Sequence, residues 1–409
     1  MPEAVSTLST LLGVSALALL VRLLTDRVSN VSYSVTLVLV GFAVSALQIP
    51  LTLTLSHDLI MAILLPTLLF QGAVELDHET FRRNWELPLV LVVVGLPLAI
   101  LLLAVSTHVA LAVPLAVATL FATIISPTDP AAVLSLFDEL DAPERLSVVV
   151  DAESLLNDGV AIVVFTVVLG TISFGSRAPS TSQFLSLVSI EQLAVRLVVV
   201  GAGGLLVGVL FGYLGRYATR YIRDPMGTVL FTLLLAYGSY VLAEHTLGVS
   251  GVLATVGAGL ALGLSGEQFT ERSDEAQFVR TVWDTAAFLV STFVYLLIGT
   301  NVRFDHFIAQ FDLIVLVAVL VVLARAVTIY SVVGLANRVA DEGVPLTIQH
   351  VMVWGGLHTV VPVALVLSLP DGVPHLDALR TLVFGVAVVG TVVQGLLMPF
   401  VLRATGVTE

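Results

Sequence analysis

The chain of 409 residues contains no cysteine and no lysine, and only 11% of its residues are charged. Without cysteine it has neither disulfides nor thiolate ligands for a metal. Soluble domains carry about 25% charged residues. A charged fraction this low, with 57% apolar residues and a mean hydropathy of +1.05, argues against a soluble enzyme and against nucleic-acid binding. The composition predicts a polytopic membrane protein.

The charge balance is acidic, with a net charge of −13, and all 17 basic residues are arginine. An acidic surface without lysine is expected in a halophilic prokaryotic host, because salt screens the repulsion between like charges. A GC-rich genome, which favours arginine codons, is the alternative explanation. The N-terminus lacks the basic stretch and cleavage site of a signal peptide, so we expect no removable leader.

Apolar stretches separated by polar breaks predict an all-α fold with about thirteen transmembrane helices in a single domain over residues 1–409. The predicted spans are 4–24, 33–49, 58–75, 87–107, 112–136, 145–172, 191–214, 226–244, 249–264, 276–300, 311–336, 346–368 and 378–402.

Arginine placement predicts the orientation of the chain in a cell membrane. The odd-numbered loops and the C-terminal end contain Arg27, Arg82, Arg83, Arg145, Arg216, Arg220, Arg223, Arg272, Arg338 and Arg403. The even-numbered loops contain Arg177 and Arg303, and Arg380 follows the twelfth span. The positive-inside rule therefore predicts an N-terminus outside and a C-terminus in the cytoplasm.

Two predicted spans are interrupted. Span five contains Ser-Pro-Thr-Asp-Pro at 126–130, and span twelve contains Gly-Gly-Leu-His-Thr at 355–359, followed by Pro362. Proline removes a backbone donor and breaks a helix. Broken helices at corresponding places in two halves are typical of transporters built from inverted repeats, with the binding site near the midplane. Two ordinary proline kinks are the alternative, but the acid in one break and the histidine in the other favour a transporter.

Span six presents several polar side chains in the membrane, where ionisable groups are costly and are functional candidates. Helical spacing places Ser154 and Asp158 on one side, and Glu153 and Asn157 on a neighbouring side. Asp151 is expected to be a solvated helix end. Asp158, followed by apolar residues, is the strongest candidate for a functional acid.

Carboxylate, hydroxyl and amide oxygens are suitable ligands for a hard cation such as Na⁺, and broken helices supply carbonyl oxygens. Span six alone has too few ligands. Thr128 and Asp129, from the break in span five, are predicted to complete the cation site with Asp158 and Ser154.

Two further groups need partners within the membrane. Arg325 lies deep in span eleven, and Glu153 is its predicted partner because that pairing leaves Asp158 free to titrate; Asp129 is the alternative. His358 is either a proton relay or pH sensor, or a histidine hydrogen-bonded into the broken helix.

These motifs resemble those of the NhaP-type and NHE-type sodium/proton antiporters of the monovalent cation:proton antiporter-1 family. The resemblance covers nearly the whole chain. It is carried by Leu68-Leu69-Phe70, Thr128-Asp129-Pro130, Glu153-Ser154-Leu155-Leu156-Asn157-Asp158, Arg325 and Trp354-Gly355-Gly356-Leu357. Two positions depart from the family pattern, since Gln71 stands where relatives often have glutamate and His358 where they have arginine.

The resemblance implies a core of two inverted repeats with crossed broken helices, at about 87–172 and 311–402. Dimerisation and scaffold helices would lie at about 4–75 and 191–300, and would form a homodimer. It also implies residue roles: Asp158 binds the ion or proton, Thr128, Asp129, Glu153 and Ser154 help to form the site, and Arg325 pairs with Glu153, with Asn157 in support.

The expected function is exchange of Na⁺, and of Li⁺, for H⁺ by alternating access, and not enzymatic catalysis. Asp158 would bind either Na⁺ or H⁺, and the Asn157-Asp158 pair resembles the electroneutral branch, which implies one H⁺ per Na⁺. No cofactor is expected beyond the transported ions. The nearest alternative is K⁺, alone or with Na⁺. An intramembrane aspartyl protease would need Tyr-Asp and Gly-x-Gly-Asp motifs that the sequence lacks, and a cation channel would not need a carboxylate cage.

Overall fold

The computed structural model describes residues 3–25, 33–48, 59–129, 133–134, 137, 142–172, 179–187, 195–219, 221–222, 224–263, 274–338 and 343–407. All regular secondary structure in these ranges is helical. In chain order the helices are α1 Glu3–Thr25, α2 Tyr33–Ala46, α3 Ile60–Glu75, α4 His78–Asn84, α5 Glu86–Leu111, α6 Leu115–Ile125, α7 Glu144–Thr171, α8 Thr181–Leu187, α9 Leu197–Thr219, α10 Pro225–Leu247, α11 Gly251–Gly263, α12 Asp274–Thr300, α13 Phe304–Ala309, α14 Phe311–Ala336, α15 Leu346–Trp354, α16 Val360–Leu367 and α17 Leu376–Thr405.

The predicted all-α membrane fold is confirmed. Among the described residues, seven helices are long and apolar enough to cross a membrane, and an eighth crossing results if the bent pair α3 and α4 is one span. Each predicted span overlaps at least one of the helices above, but the number of thirteen crossings stays a prediction. The short helices α4, α8 and α13 lie in segments that the hydropathy pattern assigned to loops.

Both predicted interruptions are present. Helix α6 ends at Ile125 and residues 126–129 are not helical, because Pro127 has no N–H to continue the ladder. Pro130 and much of the second half of span five lie outside the described residues. Residues 355–359 separate α15 from α16, and Pro362 falls in the first turn of α16, where a missing N–H costs nothing.

The helices on either side of these breaks pack together. Helix α6 contacts α5, α7 and α16, while α14 contacts α5, α15 and α17. The runs α5–α7 and α14–α17 are therefore each interrupted in the middle, after α6 in the first and between α15 and α16 in the second, and the two breaks contact each other inside the bundle.

A second group of helices packs through small residues. Gly208 and Gly212 on α9 lie directly against backbone carbonyls of α11, and Gly204 lies against the carbonyl of Ser250 just before it, so that a Cβ atom at any of the three would collide with the neighbouring backbone. Such close approach replaces the hydrophobic driving force that lipid does not supply. Helix α11 also packs on α3, and α12 packs on α2.

Candidate cation site

The two broken segments contact each other directly. The Asp129 N–H donates to the Leu357 carbonyl at 2.7 Å. In the opposite direction, His358 Nδ1 donates to the Pro127 carbonyl at 2.9 Å. Each break thus satisfies backbone groups that the other leaves without helical partners. His358 is placed as a histidine hydrogen-bonded into the broken helix.

Asp129 is held at the N-terminus of α16. Its Oδ2 accepts from the Thr359 hydroxyl at 2.6 Å and from the Tyr295 hydroxyl at 2.6 Å. A carboxylate in this position is favoured by the positive end of the helix dipole. Tyr295 comes from α12 and was missed by the sequence analysis, although a phenolic hydroxyl within the apolar run 293–298 is a signal that could have been used.

Arg325 pairs with Glu153 and not with Asp129. Its Nη1 and Nη2 donate to the two oxygens of Glu153 at 3.1 and 2.9 Å. Only 13% of the arginine side chain and 5% of the glutamate side chain are exposed. The planar guanidinium matches the carboxylate fork, so the contact is a bidentate, charge-assisted pair.

The same guanidinium covers the end of α15. Arg325 Nε donates to the Met352 carbonyl at 3.2 Å, where a cation is favoured by the negative end of the helix dipole. The guanidinium also lies so close to Gly356 that a Cβ atom there would collide with its Nε. A larger residue at this position of the break would have to displace the guanidinium from Glu153 and Met352.

The polar residues of α7 divide between two faces. On one face, Ser154 donates to the Thr128 carbonyl, and Asp158 follows one turn later. On the other face, Asn157 Nδ2 lies 3.3 Å from Glu153 Oε1 and 3.4 Å from Thr128 Oγ1. The Thr128 hydroxyl therefore faces Asn157, while its carbonyl faces Ser154.

Asp158 lines a cavity of about 280 Å³, which we call the cation cavity. Its polar lining comprises Gln71, Glu75, Asp129, Asp151, Ser154, Asp158, Ser291 and Tyr295. Asp158 is only 8% exposed, and its Oδ1 has no hydrogen-bond partner among the described residues. Asp151, expected to be a solvated helix end, and Glu75 lie on the wall of this cavity.

The geometry brings the Asp158 carboxylate, with one oxygen that has no partner among the described residues, to the same cavity as the Ser154 hydroxyl and Asp129 of the broken segment. Glu153, Asn157 and His358 do not line this cavity. A buried acid beside two broken membrane helices, whose breaks contact each other, defines a secondary ion transporter.

Comparison with known proteins also indicates an ion transporter. Residues 15–404 match the model of the sodium/hydrogen exchanger transmembrane family, and the chain belongs to that family. It is 33% identical to the low-affinity Na⁺/H⁺ antiporter NhaS1 of Synechocystis sp., over 91% of this chain and 69% of that protein. It is 31% identical to the Na⁺/H⁺ antiporter NhaP of Pseudomonas aeruginosa, over 94% of this chain and 88% of that protein. The fold resembles the sodium proton antiporter MjNhaP1 of Methanocaldococcus jannaschii, with a TM-score of 0.76, 20% identity, and coverage of 99% of this chain and 97% of that one.

Proposed function

We propose that the chain exchanges Na⁺ for H⁺ across the cell membrane by alternating access. The observation that carries the proposal is the Asp158 carboxylate, buried in the cation cavity with one oxygen that has no partner among the described residues. Relatives of about 30% identity over most of the chain carry the name Na⁺/H⁺ antiporter, which supports the same cargo here.

In this mechanism Asp158 binds either Na⁺ or H⁺. A Na⁺ ion at Asp158 finds further oxygen ligands in the Ser154 hydroxyl and the Thr128 carbonyl, which already lie in contact with each other. A proton on Asp158 removes the negative charge that the cation needs. The two cargoes therefore compete for one site, and no cofactor takes part.

Neutralisation of Asp158 controls the movement. An ionised carboxylate within the membrane is costly, by about 2.5–3.5 kcal/mol or more. The core therefore moves Asp158 from one side of the membrane to the other only when Na⁺ or H⁺ is bound to it. The Glu153–Arg325 pair has no net charge, and its net charge does not change during the transport cycle. One Na⁺ exchanged for one H⁺ is then electroneutral.

The moving core comprises the helices within about 87–172 and 311–402, including α7 and α14, and it slides against scaffold helices within about 4–75 and 191–300. The scaffold forms the homodimer interface. The hydrogen bond from Tyr295 of α12 to Asp129 joins scaffold and core in this conformation, and it must break when the core moves.

The chain lies in a prokaryotic, halophilic cell membrane with its N-terminus outside and its C-terminus in the cytoplasm. In this orientation Glu75 at the end of α3, next to the arginine-bearing loop, lies on the cytoplasmic side. The cation cavity, which Glu75 lines, therefore opens to the cytoplasm.

The test is cation-driven collapse of a pH gradient in proteoliposomes, with Na⁺, Li⁺ and K⁺ compared at clamped membrane potential. We expect Na⁺ and Li⁺ to drive proton movement at a rate that does not depend on voltage. Asp158→Asn, which keeps the volume and loses the titrating charge, should reach the membrane and show no exchange. Exchange in that variant would refute the assignment of Asp158, a larger response to K⁺ would change the cargo, and steep voltage dependence would refute electroneutrality.

A further inference from the structure

A second cavity lies on the opposite face of α7, and the exchange mechanism does not use it. We call it the rear cavity; its volume is about 30 Å³. Its wall includes Glu153 and Asn157 of α7 and Arg325 and Thr328 of α14, but neither Ser154 nor Asp158. The rear cavity is thus separate from the cation cavity.

Two buried oxygens on this wall lack partners. Asn157 Oδ1 and Thr328 Oγ1 make no hydrogen bond to any described residue, and the two residues are 3% and 5% exposed. Buried polar side-chain atoms in folded proteins nearly always have a protein or water partner. One unsatisfied oxygen on each of two neighbouring helices, beside the same small cavity, indicates a shared ligand.

The orientation of the Asn157 amide is fixed by its neighbour. Its Nδ2 lies 3.3 Å from Glu153 Oε1, and an ionised carboxylate only accepts hydrogen bonds. A flipped amide would place two acceptors face to face, so Oδ1 must point away from Glu153. Asn157 Oδ1, which faces away from Glu153, therefore needs a hydrogen-bond donor, and no described residue provides one.

The size and charge of the rear cavity select the ligand. Glu153 and Arg325 on its wall neutralise each other, so the rear cavity offers a cation no free carboxylate, and the polar oxygens disfavour an apolar guest. A water molecule needs a cavity of at least about 10–15 Å³ and two to four polar partners, and the rear cavity provides both. We propose that a water molecule binds in the rear cavity and donates to Asn157 Oδ1 and Thr328 Oγ1.

This water would also find a donor in the ion pair. Arg325 has five N–H groups, of which three are used by Glu153 and Met352. A remaining N–H is available to the water oxygen. The water therefore links α7 to α14 beside the salt bridge, and it positions the Asn157 amide, which in turn contacts Glu153 and Thr128.

Thermal melting of Thr328→Val in detergent tests the proposal without reference to transport. Valine keeps the shape of threonine and removes the hydroxyl. If the hydroxyl binds water, valine leaves that water with one partner fewer and lowers the melting temperature; if the hydroxyl is unsatisfied, valine leaves the melting temperature unchanged or raises it. Thr328→Ser, which keeps the hydroxyl, should resemble the wild type more closely than the valine variant does.

Thr391→Val is the matched control, because Thr391 is equally buried and bonds only to the Ala387 carbonyl of its own helix. We expect Thr328→Val to lose more thermal stability than this control. A loss no larger than that of the control, or a gain, would overturn the proposal. So would a cryo-EM map that resolves other internal waters but has no density within hydrogen-bond distance of both oxygens.

A transport readout separates positioning from stability alone. Thr328→Val should raise the KM for Na⁺ several-fold, and Thr328→Ser should restore it. Because the melting test does not involve exchange, the water site survives even if the wild-type protein moves neither Na⁺ nor H⁺.

Discussion

Removal of one partner of the Glu153–Arg325 pair should destabilise the fold, and removal of both charges together should restore most of the loss. The pair is bidentate, with N···O distances of 2.9 and 3.1 Å, and it is buried. Breaking such a pair leaves one uncompensated charge and costs about 3–5 kcal/mol. Two independent losses would sum to roughly 6–10 kcal/mol, whereas a double variant without either charge should lose far less.

The variants Glu153→Gln and Arg325→Met keep the side-chain volumes close to those of the wild type. We expect each single variant to melt well below the wild type in detergent, with the double variant above both singles. Arg83→Met is the control, because the Arg83–Glu79 pair is exposed and contributes little. Additive losses in the double variant would show that Glu153 and Arg325 do not stabilise each other.

The loss of thermal stability should depend on pH differently in the two single variants. In Arg325→Met the orphaned Glu153 can take up a proton and become neutral, so its stability loss should shrink as the pH is lowered. In Glu153→Gln the orphaned Arg325 remains charged at every accessible pH, and its loss should persist. Parallel pH profiles for the two variants would contradict a buried, uncompensated charge as the cause.

Three further changes test the site. Ser154→Ala should raise the KM for Na⁺ without abolishing exchange, because it removes a ligand and no titrating group; an unchanged KM would place the site elsewhere. Tyr295→Phe removes a hydrogen bond to a carboxylate, worth about 1.5–3 kcal/mol, and should favour the opposite conformation. The chain has no native cysteine, so Leu367→Cys at the end of α16, in the cavity beside the C-terminal end of α12, introduces a single thiol. More labelling of this cysteine from outside would report the shift, and unchanged labelling would refute it. Gly356→Ala should lower the melting temperature because its Cβ meets the Arg325 guanidinium, whereas Gly334→Ala, with open space around it, should not; equal melting temperatures would contradict the close packing.

Short-range features were predictable from the sequence. Helical spacing alone separates Ser154 and Asp158 from Glu153 and Asn157, and the structure has these two sets on different cavities. Both breaks could be predicted from the prolines and glycines, because these residues interrupt a helix at their own position in the chain. The sequence did not predict that the break in span five presents its carbonyl, and not its threonine hydroxyl, toward Ser154, since that depends on the dihedral angles of the broken segment.

Contacts between residues far apart in the chain were harder to predict from the sequence. Asp129 is 166 residues from Tyr295 and 230 from Thr359, and no periodic pattern connects positions so far apart. Arg325 was different because an arginine in the membrane must have an acidic partner, and few acids were available. An unpaired charge within a helix bundle is so costly that its partner must be one of the few acids nearby. A hydroxyl can hydrogen-bond to many groups, so its partner cannot be inferred in this way.

The division of α7 into two faces has a consequence for transport. In the proposed mechanism ion binding and release change the charge at Asp158, and a carboxylate near that site would follow those changes unless its own charge were neutralised. Arg325 neutralises Glu153 through two hydrogen bonds, so that a single carboxylate of this pair of neighbouring acids responds to the cargo. Substitutions of the Glu153–Arg325 pair itself should therefore act mainly through stability, while those of Asp158 and Ser154 act on binding and exchange. Under the proposed mechanism this separation would let α7 both anchor the core and bind the ion.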